Sequence, residues 1–566
     1  MYNILIGGAA GDGIETTAAV LKKTLKHLGY NVFSIRDFMS RVRGGHNFNK
    51  IRFGSEPVHS HARELDGLIA INEESFHLHK DDLKENGFII CDPSLLIDHG
   101  NLIKLDFKSL AKEAGNPRAG GSVIIGAVLS LYGLDLKKAE ESFRDYFPEP
   151  ILQANLNALL YGYRAVEKKY HADKGQDLSN HIRINGAEAM STGALAGNMR
   201  FYSAYPMSPA TTILNYFNGV KEEANIVVEQ AEDEIAAVNQ AIGAFSAGAR
   251  AMTGTSGGGF SLMVEAIGLA GIAEIPLVIA NVQRPGPATG LPTRTEQSDL
   301  RFVIHAAQGE FPKMVISPQN HRELYHQSWR AFDIAEKYQI PVILLSDQFL
   351  ADSSSVIPIQ DMLDHKDYLV KKLEQTDTIE VDEDGVYKRY QYTDTGISPL
   401  KYYGNKDYLI RLDSDEHTEY GVITESADVR NQMVRKRARK LELLKEELIE
   451  PIFVGDENPE ILIVGFGSTY ESIKGAIETL NARGNGKYAF LSFGDVYPLP
   501  TKKLLKYSNR ATRVVSIEQN YNGQLAGIIR EETLIDCRPA FLKYDGRQMD
   551  SEEIIAALET LEKGVK

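Results

Sequence analysis

The fold is decided by residues 227–284, VVEQAEDEIAAVNQAIGAFSAGARAMTGTSGGGFSLMVEAIGLAGIAEIPLVIANVQR. Their pattern predicts a short apolar strand, an acidic turn that opens a helix, a second strand ending in glycines, a second helix, and a third strand ending at Arg284. Two successive strand–helix steps predict right-handed crossovers and a parallel sheet covered by helices. Polar residues at the ends of such strands, here Glu234 and Arg284, are where these sheets place chemistry.

The acidic turn before the first helix contains Glu232, Asp233 and Glu234. Apolar residues then recur at the spacing of a buried helical stripe, namely Ile235, Val238, Ile242 and Phe245. Glu234 shares a face with Ala237, Val238 and Ala241, so we expect it to be the most desolvated of the three acids. The alternative is that all three acids only complement the helix dipole.

The composition is that of a globular protein with several domains. The 566 residues predict about three or four domains, and the contents of 43% hydrophobic and 25% charged residues are ordinary for globular chains. The net charge of -15 argues against nucleic acid or an anionic membrane as the main partner. No stretch approaches about eighteen uninterrupted apolar residues, and the opening MYNILIGG lacks a signal-peptide pattern, so we expect a cytoplasmic protein outside any membrane.

The two cysteines, Cys91 and Cys537, are far apart and form no CxxC motif. The sequence therefore predicts no disulfide framework, no thiolate zinc site and no four-cysteine iron–sulfur site. An iron–sulfur cluster that works with this chain would have to be held by another chain.

Two further motifs and one spacing carry a resemblance to a known family. Residues 205–209 are YPMSP, residues 283–293 are QRPGPATGLPT, and Glu234 stands nine residues before Gly243. Over nearly its whole length the chain resembles the alpha subunit of 2-oxoacid:ferredoxin oxidoreductases, particularly the 2-oxoglutarate members. The motifs match the family's YPITP-type and QRxGPSTGLPT segments, with Ser208 in place of the usual threonine.

The resemblance implies roles for four residues. Glu234 would be the catalytic carboxylate that hydrogen-bonds the aminopyrimidine of thiamine diphosphate and favours its reactive imino tautomer. Arg284, Ser208 and Thr293 would hold the carboxylate of a 2-oxo acid, which suits a guanidinium fork beside hydroxyl groups. An ordinary surface ion pair is the alternative for Arg284.

Residues 1–165 begin with a strand, the glycine loop GGAAGDG and a helix. Gly8, Gly11 and Gly13 are candidates for cradling phosphate on backbone N–H groups, with a simple tight turn as the alternative. The segment RVRGGHNFN that follows resembles part of the family's gamma subunit, which is fused ahead of the alpha part in some members. That resemblance implies coenzyme A handling, with Arg41 and Arg43 as candidates for its phosphates; a basic surface turn explains the same residues.

The loop Gly11-Asp12-Gly13 imitates the start of the metal motif of thiamine-diphosphate enzymes. The asparagine that should complete the motif is absent at the required spacing, and Asn47 comes too late. We therefore expect no metal site in this chain, with Mg²⁺ and the diphosphate held by a partner.

The predicted fold class is α/β, with three parallel-sheet domains. We expect a gamma-type domain at residues 1–165, a linker at 166–183, a pyrimidine-type thiamine-diphosphate domain at 184–351, a charged connecting segment at 352–455, and a transketolase C-terminal-like domain without chemistry at 456–566. The connecting segment should include a solvated helix at residues 434–448, because acids balance its bases.

Two more polar residues are candidates for the site. Asp347 follows an apolar strand, where helix capping is the alternative role. His417 lies in a DEH segment that resembles a family loop near the substrate, and an ordinary exposed loop histidine is the alternative.

The reaction implied by the resemblance is coenzyme A-dependent oxidative decarboxylation of a 2-oxo acid, with 2-oxoglutarate favoured, to acyl-CoA and CO₂ with electrons passed to ferredoxin. Thiamine diphosphate would be shared with a beta subunit that carries the Mg²⁺ motif and a [4Fe–4S] cluster, so this chain alone should be inactive.

Three alternatives remain open at this point. The substrate could be pyruvate or a broad range of oxo acids, or the chain could be a non-catalytic assembly subunit. The third is a serine hydrolase, because GTSGG at residues 254–258 fits GxSxG, with Ser256 as nucleophile and His305 or His321 as base.

Overall fold

The computed structural model describes residues 1–40, 44–372, 379–484 and 486–563. The chain forms two compact units. The first comprises Met1–Asn185 with Asp352–Leu363, and the second comprises Gly186–Ala351 with Asp364–Lys566. Within the described ranges, no helix has both the length and the apolar character needed to cross a membrane.

The described residues form twenty strands and nineteen α-helices, and strand–helix alternation is most regular at residues 181–352. The strands are β1 (Tyr2–Ala9), β2 (Asn31–Asp37), β3 (His46–Gly54), β4 (Leu65–Ala70), β5 (Leu83–Cys91), β6 (Leu102–Lys104), β7 (His181–Asn185), β8 (Phe201–Ala204), β9 (Val227–Gln230), β10 (Ala251–Thr255), β11 (Leu277–Gln283), β12 (Met314–Ile316), β13 (Pro341–Asp347), β14 (Ser354–Pro358), β15 (Ile452–Gly455), β16 (Ile461–Phe466), β17 (Tyr488–Phe493), β18 (Asp495–Tyr497), β19 (Arg513–Glu518) and β20 (Arg538–Leu542). The helices are α1 (Ile14–His27), α2 (Glu73–His79), α3 (Phe107–Glu113), α4 (Gly120–Tyr132), α5 (Leu136–Arg144), α6 (Glu149–Ala165), α7 (Gly186–Ala196), α8 (Thr211–Ala224), α9 (Glu234–Ser246), α10 (Gly257–Ile272), α11 (Leu300–His305), α12 (His321–Tyr338), α13 (Gln348–Asp352), α14 (Ile359–Leu363), α15 (Ala427–Leu444), α16 (Tyr470–Arg483), α17 (Lys502–Ser508), α18 (Gln524–Thr533) and α19 (Ser551–Lys563).

The first unit is built on an eight-stranded sheet with the order β6-β5-β4-β1-β3-β2-β14-β7. Its core packs α4 against α6, and α4 is buried along most of its length because it is apolar on all sides. Gly126 and Gly162 let the two helices approach closely, since a Cβ at either position would collide with the backbone of the other helix.

The second unit contains two sheets. The larger has the order β18-β12-β13-β11-β10-β8-β9 and is parallel except for β18. Strands β10, β11 and β13 are buried throughout, as expected for central parallel strands covered on both faces. The smaller sheet has the order β15-β17-β16-β19-β20 and is parallel except for β15. We call residues 456–566, which carry most of the smaller sheet, the C-terminal layer.

Buried polar contacts hold residues of the C-terminal layer to the segment around α12. Arg330 on α12 donates to both carboxylate oxygens of Asp495, at 2.7 and 2.9 Å. Gln319 donates its Nε2 to the carbonyl and hydroxyl oxygens of Ser492, at 2.8 and 2.9 Å. Because buried polar groups stabilise only when they are paired, these contacts fix how the C-terminal layer sits on the larger sheet.

The predicted α/β class with several sheets is confirmed, but the first sheet is mixed. Strand β3 runs antiparallel to both β1 and β2, because a short connection returns the chain directly along its neighbour. The chain path differs from the predicted domain boundaries in two places. Residues 184–185 belong to the first unit, and residues 352–363, predicted to begin a connecting segment, return to it. Strand β14 pairs with both β2 and β7, so these two late strands extend the first sheet.

The prediction of a solvated helix at residues 434–448 is wrong. On α15 the side chains of Lys436, Arg437 and Lys440 are buried. Lys436 and Lys440 form ion pairs with Glu274, and Arg437 pairs with Glu416. The acids that balance these bases come from distant segments, which the local charge pattern cannot indicate.

Candidate active site

The predicted site residues of the second unit follow neighbouring parallel strands. Ser208 comes after β8, Glu234 after β9 and Arg284 after β11. Because these strands are parallel, their carboxyl ends meet at one edge of the sheet. The topology therefore brings the three residues to the same edge.

Glu234 is the first residue of α9 and is only 3% exposed. The preceding Asp233 caps the helix by accepting a hydrogen bond from the N–H of Ala236 at 2.7 Å. Glu234 is therefore not needed as the cap, and its Oε1 has no hydrogen-bond partner in the described part of the chain. Burial raises the pKa of Glu234, while its own backbone N–H and the charge of Arg284 oppose the shift.

The space around the Glu234 carboxylate is provided by a glycine on the neighbouring helix. A Cβ at Gly259, in the first turn of α10, would collide with Glu234 Oε1 and Thr255 Oγ1. Position 259 must therefore be glycine for the Glu234 carboxylate to fit where it does. The carboxylate lies beside the amino-terminal end of α10.

Arg284 is half-buried and lies directly after β11. Its Nη1 donates to the backbone carbonyl of Ser208 at 2.6 Å, and its Nε is buried without a partner in the described ranges. Burial lowers the pKa of the guanidinium, while Asp299 and Glu234 raise it. The guanidinium therefore keeps an N–H donor, at Nε, that can bind a ligand. Its hydrogen bond goes to a backbone carbonyl, whereas an ordinary surface ion pair would require a carboxylate.

The loop from Arg284 to Thr293 is closed by its own backbone. The N–H of Leu291 donates to the carbonyl of Pro285 at 3.0 Å. Gly290 has a φ of 54°, and a Cβ there would collide with the same carbonyl. Thr293 is buried at the end of this loop, whereas Ser208 is exposed.

Asp299 is a residue of this edge that the sequence analysis missed. Its carboxylate accepts from Asn281 Nδ2 at 3.1 Å, and its N–H donates to Gln283 Oε1 at 3.0 Å. Burial raises the pKa of Asp299, against the opposing effects of Asn281 and Arg284. An acid before a short helix resembles a cap, yet this side chain does not cap α11. The sequence therefore carried no signal for its role.

The glycine loop of the first unit is a tight turn between β1 and α1. Gly11 and Gly13 have φ values of 106° and 76°, and neither has an atom within 4 Å of an added Cβ. Asp12 accepts from the N–H of Ala9 at 2.8 Å, and Gly8 lies at the end of the strand. Arg41 and Arg43 lie outside the described residues.

Ser256 and Asp347 do not take active roles in this geometry. Ser256 is fully buried, and its Oγ has no hydrogen-bond partner in the described chain, so it lacks the base that a hydrolase nucleophile requires. His305 is exposed on α11. Asp347 is buried and accepts from Ser468 Oγ at 2.5 Å and from the N–H of Leu350 at 2.9 Å. It therefore caps α13 and holds Ser468 of the C-terminal layer.

His417 is buried, and the exposed-loop alternative for it is wrong. Its ring packs on Tyr390 with centroids 3.9 Å apart, and burial lowers its pKa. Glu274, just beyond the end of α10, is among the charges that act on it. Because α10 has 16 residues, its two ends are about 24 Å apart, and His417 belongs to the end remote from Glu234.

No group of three or more His, Cys, Asp or Glu side chains in the described ranges is arranged to hold a metal ion. The groups that lack partners at the sheet edge are instead a carboxylate oxygen and a guanidinium nitrogen. These suit an organic cofactor and an anionic substrate.

Comparisons with known proteins show the family of this chain. A family model described as pyruvate flavodoxin/ferredoxin oxidoreductase, thiamine diP-bdg, matches residues 192–436, and one described as pyruvate ferredoxin/flavodoxin oxidoreductase matches residues 3–165. The first match contains the Glu234 and Arg284 edge. Fold and site therefore define an oxidoreductase of the class that couples oxo acids to ferredoxin or flavodoxin.

Full-length relatives narrow the assignment. The 2-oxoacid:ferredoxin oxidoreductase subunit alpha of Sulfolobus sp is 32% identical over 98% of this chain and 96% of the relative. The 2-oxoglutarate oxidoreductase subunit KorA of Mycobacterium tuberculosis is 27% identical over 98% and 91%. A solved 2-oxoglutarate:ferredoxin oxidoreductase from Magnetococcus marinus, with 2-oxoglutarate, coenzyme A and succinyl-CoA bound, matches with a TM-score of 0.90 and 29% identity over 99% of each chain. The chain belongs to the 2-oxoacid:ferredoxin oxidoreductase family as a subunit of the alpha type, which confirms the predicted family.

Proposed function

We propose that this chain provides the pyrimidine side of a thiamine-diphosphate site for coenzyme A-dependent oxidative decarboxylation of a 2-oxo acid. The observation that carries the proposal is the buried, unpartnered carboxylate oxygen of Glu234 beside Arg284 at a parallel sheet edge. The substrate we favour is 2-oxoglutarate, because relatives named for that acid span most of the chain. The products would be acyl-CoA and CO₂, with electrons passed to ferredoxin.

Glu234 would hold the ring nitrogen of the aminopyrimidine. Burial raises the pKa of this carboxyl, and its Oε1, which has no partner in the described chain, is the atom placed to hydrogen-bond that nitrogen. Thiamine diphosphate, when bound, supplies the electron sink for decarboxylation. The space left by Gly259 lets the carboxyl keep its position beside α10.

Arg284 would bind the carboxylate of the oxo acid. Its Nη1 is already oriented by the carbonyl of Ser208, which leaves other donors of the fork for a ligand. A guanidinium with an unpartnered Nε in a partly desolvated place is suited to a carboxylate. The Ser208 and Thr293 hydroxyl groups would complete this substrate site.

A beta subunit would cover this edge and complete the site. Large apolar side chains that are exposed lie within three residues of the site residues along the chain: Tyr205, Ile235 and Leu291. Such a rim around polar groups is typical of a protein interface. We propose that this partner holds the diphosphate with Mg²⁺ and a [4Fe–4S] cluster, since the described residues offer neither ligand set.

Coenzyme A would be handled in part by the first unit. The supporting features are the open positions Gly11 and Gly13, which follow Gly8 of β1, and the absence of a side-chain cap on α1, which leaves N–H groups for phosphate. Arg41 and Arg43, next in sequence to a glycine pair, are the proposed cationic contacts.

The test is to purify the complex that contains this chain without oxygen from its own host and to measure viologen reduction. We expect reduction to require thiamine diphosphate and coenzyme A and to be fastest with 2-oxoglutarate. Faster turnover of pyruvate than of 2-oxoglutarate would show that pyruvate is the preferred substrate. A complex that is inactive on every oxo acid, despite a cysteine-rich partner, would contradict the proposed function.

A further inference from the structure

Gln524 of the C-terminal layer clamps a segment that follows the substrate loop. It is the first residue of α18 and is 8% exposed. Its Nε2 donates to the carbonyl of Ser298 at 2.7 Å, and its Oε1 accepts from the N–H of Arg301 at 2.8 Å. One side-chain amide therefore fixes the peptide groups on both sides of Asp299.

The clamp is itself held in place by buried polar groups. Glu518 accepts from the N–H groups of Leu525 and Ala526 at 2.8 and 3.0 Å and from Asn520 at 2.9 Å. The N–H of Gln297 donates to the carbonyl of Gln519 at 2.7 Å. Since these groups are buried and paired, the start of α18 is a rigid reference for residues 297–301.

Asp299 connects the clamped segment to β11. It donates its N–H to Gln283 and accepts from Asn281, so it contacts two of the last three residues of the strand. Arg284 is the next residue along the chain. A Cβ at Gly257 would collide with the Asp299 carboxylate, which therefore lies over the start of α10.

Arg284 has few contacts of its own to fix it. Its Nη1 bonds one backbone carbonyl, and its Nε has no partner in the described chain. The charges of Asp299 and Glu234 act on it together. Asp299 is hydrogen-bonded to Gln283, the residue immediately before Arg284, and thereby links the arginine to the clamped segment.

We propose that Gln524 is a positioning residue for Arg284 and acts through Asp299, so that the C-terminal layer sets the affinity for the oxo acid. The inference rests on the proposed function, because it takes Arg284 as the group that binds the substrate carboxylate. It also gives the C-terminal layer, which the sequence analysis left without chemistry, a part in substrate binding. Loss of the clamp should weaken ground-state binding more than turnover.

The experiment compares Gln524→Ala with Gln319→Ala in the purified complex. Gln319 is a matched control, because its buried amide also makes two hydrogen bonds between the larger sheet and the C-terminal layer, but away from Asp299. For Gln524→Ala we expect the KM for the oxo acid to rise about tenfold, with kcat changed less than about threefold and the KM for coenzyme A unchanged. For Gln319→Ala we expect a similar loss of thermal stability and an oxo-acid KM within about twofold of the wild type.

Gln524→Glu provides an intermediate step. It keeps the acceptor for Arg301 and loses the donor to Ser298, so its KM should lie between those of the wild type and Gln524→Ala. Equal KM changes in Gln319→Ala and Gln524→Ala, or no change in either, would overturn the inference while the proposed function stands. Hydrogen exchange tests the clamp without any assay of activity, because Gln524→Ala, and not Gln319→Ala, should speed exchange at Asp299 and Arg301. Unchanged exchange at these amides also overturns it.

Discussion

Two buried glutamates lie near opposite ends of α10, and their surroundings differ in one respect. Glu234, beside the amino-terminal end, has a carboxylate oxygen without a partner, and burial raises its pKa. Glu274, two residues beyond the other end, is fully buried among Lys436, Lys440 and Arg389. Although burial alone would raise the pKa of Glu274, those charges hold it well below its usual range.

The comparison teaches that burial of a charged group does not by itself indicate an active site. What separates the two places is whether the chain supplies partners for the buried group. Glu274 has Lys436 on both carboxylate oxygens, at 2.6 and 2.8 Å, and belongs to the structural core. Glu234 keeps an unfilled hydrogen-bonding position, which is what a site for a cofactor requires.

The largest effect on stability should come from Glu274→Gln. The change leaves Lys436, Lys440 and Arg389 buried without their anion, and we expect a loss of about 3–5 kcal/mol in the free energy of unfolding. Thermal or denaturant unfolding of the purified complex measures it. Glu559→Gln is a milder companion, because the side chains of Glu559 and its partner Arg483 are both accessible to solvent, at 38% and 48%. A stability equal to that of the wild type would remove the structural role given to Glu274.

Gly259→Ala should separate activity from stability. The added Cβ displaces the Glu234 carboxylate and the Thr255 hydroxyl, both of them ends of side chains, so we expect activity to fall about tenfold with a smaller loss of stability. Gly219→Ala on α8 is the control, because a Cβ there meets nothing within 4 Å. It should retain full activity and gain slight stability. Full activity of Gly259→Ala would show that the position of the Glu234 carboxylate does not matter.

Lys440→Met should raise stability by about 1 kcal/mol at pH 6, because it removes one of two buried lysines that share one carboxylate. Burial lowers the pKa of Lys440 to about 7, against the pull of Glu274. Between pH 7 and the unfolded pKa of about 10.4, the unfolded state binds more protons, so the wild type gains stability as pH rises. The advantage of the variant should therefore be largest below pH 7 and shrink toward pH 10. A constant difference in unfolding free energy across this range would contradict the account.

The shared edge of Glu234 and Arg284 could be predicted because each follows a strand that the sequence pattern reveals, whereas Ser208 was a candidate only through its motif. Parallel pairing then brings the strand ends together. The parts that were missed depend on contacts distant in sequence. Asp299 has the local pattern of a helix cap, the bases of α15 find Glu274 more than 160 residues away, and β14 pairs with β7 across a whole intervening domain.

The most direct test of the central claim is the thiamine-dependent, 2-oxoglutarate-driven reduction of viologen by complexes with Glu234→Gln and with Glu471→Gln. Glu471 is the matched control, because burial raises its pKa to about 7 although it lies in the C-terminal layer. We predict that Glu234→Gln loses about 10²- to 10⁴-fold in activity without losing stability, and that Glu471→Gln keeps the activity of the wild type. Full activity of the Glu234→Gln complex would contradict the claim and favour a non-catalytic assembly subunit.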